Sequence, residues 1–186
     1  MYEIVVLASG GGGNLRAILE SENHLRLFKV VKVLSEKNCN AIRVASDYGI
    51  IVEIFDPTKK NAYLEALPQS VNLIVLAGFM PIVPEEICSQ YSGKIINTHP
   101  SLLPKYGGRG MYGVRVQEAV LAGLERSAGC TVHFVSPGID EGLIIEQLKI
   151  AIPPNINAWD LGGLVHDLET VLLPRVITRF ALGELP

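Results

Sequence analysis

Ile4-Val5-Val6-Leu7-Ala8-Ser9-Gly10-Gly11-Gly12-Gly13-Asn14 is the stretch whose reading decides the fold. Five apolar residues without polar alternation suit a strand covered on both faces, the situation inside a parallel sheet. The run stops at a serine and four glycines, after which Leu15, Ala17, Ile18 and Leu19 follow a helical pattern. Strand, glycine loop and helix in that order make an anion site, because glycines let the backbone approach closely and the first amides of a helix lack internal partners. Four glycines together outweigh a plain tight turn as the explanation.

The type of phosphate ligand narrows by elimination. A dinucleotide fingerprint needs a third glycine, but counting from Gly10 puts Leu15 there and counting from Gly11 puts Arg16. Glu36, after a second strand at 30–34, sits where a ribose-binding acid would, which keeps a nucleotide reading weakly open. The chain has no Gly-Lys-Ser/Thr after the glycines, which excludes a P-loop. A small phosphate monoester fits best.

Beyond this unit the pattern repeats. Short helices are expected at 40–48, at 57–67 with Thr58 as cap, and at 84–91, where Pro84, Glu85 and Glu86 occupy the first turn. Strands are expected at 50–55 and 73–77, the latter ending in Gly78-Phe79-Met80-Pro81. Alternating strands and helices predict an α/β, doubly wound, mostly parallel sheet in a single domain. A helix at 114–122 stopped by Gly123 and two strands at 130–135 and 143–150 follow. The final helix is capped by Asn157 with Asp160, interrupted by Pro174 and stopped by Gly183. Residues 1–100 read as a phosphate-binding half and 101–186 as a catalytic half sharing the same sheet.

Chemistry concentrates in Lys94-Ile95-Ile96-Asn97-Thr98-His99-Pro100-Ser101-Leu102-Leu103-Pro104, where a short apolar run empties into a polar triplet and a proline-bounded loop. Prolines hold their predecessors out of helix, and Gly107, Gly108 and Gly110 permit turns, so the loop is shaped. A lone histidine at a strand end is more often a hydrogen-bonded cap than a catalyst. Here Asn97 lies two residues upstream and shares its side of a strand, which favours a site. Between the last two strands, Asp140 and Glu141 occupy a turn, where an acid such as Glu141 is ordinarily solvated.

The remaining composition limits partners. A hydrophobic content of 48% with 19% charged residues and a formal net charge of −3 describes a soluble globular chain with no basic block, which argues against nucleic acid. The apolar runs are too short for a bilayer, and the amino end enters a strand without a basic leader, so a cytoplasmic location is expected. Cys39, Cys88 and Cys130 match neither a disulfide framework nor a zinc pattern.

Taken together, the Ser9–Asn14 loop, Leu76-Ala77-Gly78-Phe79-Met80, Asn97-Thr98-His99-Pro100-Ser101-Leu102-Leu103-Pro104 and His133-Phe134-Val135 through Asp140-Glu141-Gly142 resemble the phosphoribosylglycinamide formyltransferases of purine biosynthesis. The resemblance runs from Ile4 to Leu182 and implies a Rossmann-like formyltransferase fold. It implies transfer of a formyl group from 10-formyltetrahydrofolate to the amine of glycinamide ribonucleotide, with no metal, by a monomer or homodimer. By the same resemblance Asn97, His99 and Asp140 are the catalytic trio. Gly12, Gly13, Asn14 and Glu169 bind the acceptor. Lys60, Met80, Pro81, Ile82, Val83, Asn97, Ser136, Pro137, Gly138, Ile139 and Asp140 form the folate pocket. Asn97 would donate to the developing oxyanion, protonated His99 would relay a proton to the leaving nitrogen, and Asp140 would favour the charged imidazole.

Departures from that family's pattern bear on affinity. Gly13 replaces a hydroxyl residue, Pro81 a basic one and Glu36 an asparagine, while Ile156-Asn157 stands for Asp-Thr and 107–112 matches only one branch. Two other readings remain: a formyltransferase or formyltetrahydrofolate hydrolase with another acceptor, and a phosphate- or folate-binding homologue without turnover.

Overall fold

The computed structural model describes residues 1–185 as one α/β unit. A seven-stranded sheet has the order β3-β2-β1-β4-β5-β6-β7, comprising β1 (Tyr2–Leu7), β2 (Phe28–Ser35), β3 (Val52–Ile54), β4 (Leu73–Leu76), β5 (Ile95–His99), β6 (Ser127–Phe134) and β7 (Ile144–Ala151). Strands β1 to β5 pair in parallel, whereas β6 runs antiparallel to both β5 and β7. The strand order reverses next to β1, so β1 and β4 part their loops at the switch point where open sheets bind ligands.

Both faces are covered, as the unbroken apolar runs require. On one face Ile4, Val6, Val75 and Ile96 pack with α1 (Gly13–Leu25), α2 (Asn40–Asp47), α5 (Val114–Ala122) and α6 (Ala158–Ala181). On the other, Val5, Leu7, Ile74 and Ile95 meet α3 (Ala62–Ala66) and α4 (Glu85–Gln90). Each such side chain contributes about 1.5–3 kcal/mol on burial, and this alternation along β1, β4 and β5 sets the register of every residue at the strand ends. Among the described residues no helix is long and apolar enough to cross a membrane.

Several local expectations are corrected. The triplet Asn97 to His99 lies within β5, in keeping with the shared strand side expected for Asn97 and His99, and β6 supplies its ladder partners. The helix expected at 57–67 shrinks to Ala62–Ala66: Asp56 accepts from the Thr58 amide and hydroxyl, folding that segment into turns instead of a helix cap. The strand expected at 50–55 is the shorter Val52–Ile54. Helix α6 runs through Pro174 to Ala181, with Leu172, Leu173, Val176 and Ile177 buried around the proline to hold it. Asn157 caps it by accepting from the Asp160 amide at 2.9 Å, and Gly183 in a left-handed conformation ends it, its amide donating to the Phe180 carbonyl and that of Glu184 to the Arg179 carbonyl. Cys88 and Cys130 are buried and free, and burial pushes the Cys130 thiol up to about 12.

Candidate active site

A cavity of about 760 Å³ opens at the carboxyl ends of β1, β4 and β5, bounded at one end by the glycine loop and at the other by Asp140. Its glycine-loop end is made of backbone. Gly12 precedes α1 with a φ of 80°, no side chain caps the helix, and the first internal bond runs from Arg16 to the Gly12 carbonyl. The amides of Gly13, Asn14 and Leu15 are therefore left without helical acceptors. The neighbouring carbonyls are occupied elsewhere, since Gly10 accepts from Ala41 at 3.0 Å and Gly11 from the Asn40 side chain at 2.7 Å. Donors turned inward and acceptors tied down make a site for an anion.

The loop is clamped from the other side by Ser9, whose hydroxyl donates to Glu36 at 2.7 Å and accepts from the Met80 amide at 2.8 Å. Glu36 thus joins two loops, and the nucleotide reading built on it loses its support.

The opposite end is made of side chains. Asn97 and His99 point to the same side of β5, His99 buried and Asn97 half-buried. Asp140 reaches them from the turn after β6 in a left-handed conformation, φ 59°. Its Oδ2 accepts from the Gly108 amide at 2.9 Å and lies 3.4 Å from His99 Nδ1. That approach requires glycine at 107, where a β-carbon would come within 2.6 Å of Leu103 and 3.2 Å of Asp140. His99 Nε2 donates to the Tyr106 carbonyl at 2.9 Å, so the ring is anchored by one nitrogen and presents the other to the carboxylate. The 3.4 Å contact is longer than a normal hydrogen bond.

Sequence reasoning gave His133 no role, yet it faces Asn97 across the antiparallel ladder. Its Nδ1 donates to the Phe134 carbonyl at 2.8 Å, leaving Nε2 to accept from the Asn97 amide nitrogen at 3.1 Å. Burial holds this imidazole below the ordinary histidine range, outweighing the Phe134 carbonyl and Asp140. A neutral His133 therefore orients the Asn97 NH₂ group, with its second hydrogen left for the cavity. The signal existed in the period-two pattern of 130–135, but using it required the β5–β6 register.

Further polar groups line the cavity. Glu169 on α6 is buried, accepts from the Thr98 hydroxyl at 3.0 Å and lies 3.3 Å from His166 Nδ1. Asn14 Oδ1 and Gln117 Oε1 are buried without partners, which a bound ligand would correct. Met80, Pro81, Ile82 and Val83 line one wall and Ser136, Pro137, Gly138 and Ile139 another, with exposed Trp159 and Tyr112 nearby. Of the residues expected from the sequence, Lys60 alone lies apart: it is exposed in the turn ahead of α3 and does not border the cavity.

This geometry has close counterparts. The family model described as formyl transferase matches residues 2–177. The phosphoribosylglycinamide formyltransferase of Haemophilus influenzae is 33% identical, over all of this chain and 90% of its own. The chloroplastic enzyme of that name from Arabidopsis thaliana is 32% identical over 94% of this chain, which spans only 64% of that protein's length. The solved structure of the phosphoribosylglycinamide formyltransferase from Coxiella burnetii superposes with a TM-score of 0.89 at 34% identity, covering 98% of this chain and 88% of that one. With nearly its whole length matched and the switch-point cavity in place, the chain belongs to the formyl transferase family.

Proposed function

We propose that this protein transfers a formyl group from 10-formyltetrahydrofolate to the amine of glycinamide ribonucleotide. The observation that carries the reading is a single cavity joining an anion-binding helix start to a cluster of amide, imidazole and carboxylate. The names of its full-length bacterial relatives point the same way. The co-substrate also fits. The volume lies within the roughly 300–1,000 Å³ of small-molecule sites, and the walls of 80–83 and 136–139 offer apolar surface for a flat ring.

Each residue then has a task. The amides of Gly13 and Asn14 hold the phosphate, and Glu169 receives the acceptor's hydroxyl or amine hydrogens. When the amine attacks the formyl carbon, Asn97 donates the NH₂ hydrogen not turned to His133, worth about 3–4 kcal/mol by comparison with other oxyanion donors. His99 gives its Nδ1 proton to the departing folate nitrogen, and Asp140 stabilises the imidazolium before that step and takes up the proton lost by the amine. The carbon–nitrogen bond to the folate breaks as the new amide bond forms, with one proton leaving the amine and one arriving at the folate. Asn97 and His99 occupy neighbouring same-side positions on a rigid strand, which supplies the alignment such transfers need. The same reading places the protein in the cytoplasm, acting on small molecules as a monomer or homodimer.

The test is a turnover assay with purified protein, following deformylation of 10-formyltetrahydrofolate by absorbance. Deformylation that depends on glycinamide ribonucleotide and yields its formyl derivative supports the proposal. Deformylation in its absence identifies hydrolysis instead, and no deformylation identifies a binding protein.

A further inference from the structure

The ring of His99 is held from behind by a backbone group. Its Nε2 donates to the Tyr106 carbonyl at 2.9 Å, and Tyr106 carries that carbonyl in a left-handed conformation, φ 58°. Such backbone is unfavourable for a residue with a β-carbon and persists only where the surroundings impose it. Here the phenol's own contacts impose it. Tyr106 Oη donates to Glu125 Oε1 at 3.0 Å, and Lys105 Nζ reaches the same oxygen at 2.7 Å. Glu125 is fixed to the end of α5, where the amides of Gly123, Leu124 and Glu125 donate to the Ala119, Leu121 and Val120 carbonyls. Room for the phenol is kept at Gly123: a β-carbon there would collide with Tyr106 Oη, although a φ of −75° suits any residue. Neither Tyr106 nor Glu125 borders the cavity.

We infer that Tyr106 is a positioning residue for the His99 imidazole, its phenol pinned by Glu125 so that its carbonyl meets Nε2. The inference rests on the functional reading above only in taking His99 as the proton donor. With the carbonyl at Nε2 and Asp140 Oδ2 3.4 Å from Nδ1, both ring nitrogens face acceptors. A neutral imidazole has one hydrogen for the two of them, so only the doubly protonated ring satisfies both. The carbonyl keeps one hydrogen on Nε2, which leaves Nδ1 to carry the proton that the reaction spends. Without the pin, Tyr106 relaxes to ordinary backbone and its carbonyl leaves the ring. A neutral His99 then places its single hydrogen on Nδ1 toward Asp140, and nothing calls for the second.

The test compares wild type with Tyr106→Phe, Glu125→Ala and Glu125→Gln, whose amide oxygen still accepts from the phenol. Loss of one hydrogen bond predicts a kcat for formyl transfer roughly 3- to 10-fold lower in Tyr106→Phe and Glu125→Ala. KM for both substrates should stay unchanged, and Glu125→Gln should turn over like wild type. The variant carrying Tyr106→Phe and Glu125→Ala should be no slower than the slower single one, because both remove the same contact. Nitrogen-15 NMR of the His99 ring, assigned by its loss in His99→Ala, should show a hydrogen on Nε2 in wild type and a partial one in the two slowed variants. If kcat is unchanged in Glu125→Ala, or falls with the His99 signal unaltered, the phenol merely packs and the inference is overturned. If wild type transfers no formyl group while the His99 signal still depends on Glu125, the functional reading fails and the positioning stands.

Discussion

At the end of β1 the cavity is lined by backbone, with Gly12 and the amides of Gly13 and Asn14 facing inward. At the end of β5 it is lined by side chains whose positions depend on two antiparallel strands and a turn. The first end needs only a local sequence to exist, since strand, glycines and helix dictate where its donors point. The second needs residues 97, 99, 133 and 140 brought together by tertiary pairing, and it invests buried polar groups that must be mutually satisfied. Substitutions at the two ends should therefore fail differently: by affinity and stability at the first, by turnover at the second.

The largest effect is expected at the side-chain end. His99→Ala or Asp140→Asn should lower kcat by about 10²–10⁴-fold, the range for a positioned acid or base, with circular dichroism and melting temperature little altered. Steady-state kinetics that show a loss confined to KM would remove the distinction between the ends. The backbone end should give the next effect. Gly12→Ala places a side chain in a left-handed conformation and 2.9 Å from the Ala41 backbone, at a combined cost of roughly 2–4 kcal/mol. Chemical denaturation should show that loss together with a raised KM for the phosphorylated acceptor. A stable variant with normal KM would mean the loop bends elsewhere.

The smallest expected effect is the dependence of stability on pH through His133. Burial lowers its proton affinity, so the folded protein binds fewer protons at this site than the unfolded chain. Its contribution is present above the unfolded value, about 6.5, and is lost as the solution becomes more acid. Melting temperatures from pH 8 to pH 5 should fall more steeply for wild type than for His133→Gln, which cannot titrate. Parallel curves would show that His133 does not stay neutral at the cost inferred here.

The same contrast explains what could be read without a structure. The sheet, its doubly wound helices and the glycine loop that opens α1 were legible because their signals are local: unbroken apolar runs in 4–8 and 73–77, adjacent glycines, and caps such as Asn157. Asn97, His99 and Asp140 were named as a group through resemblance to a family; in the structure His99 lies 3.4 Å from Asp140, and Asn97 bonds to His133, not to either of them. His133 and His166 were not, because one acts across a β-ladder and the other fills space above a glycine more than 150 positions away, relations that no local pattern encodes. Lys60 is exposed in the turn ahead of α3 and does not line the cavity; its place in a folate pocket rests on the resemblance alone.

What the whole account depends on is that imidazole and carboxylate act as one proton-handling device. The direct measurement is kcat for formyl transfer in His99→Ala, Asp140→Asn and the variant carrying both. Groups that work as a unit are strongly non-additive, so the double variant should be no slower than the slower single one. Losses that multiply would show two independent contributions and contradict the account.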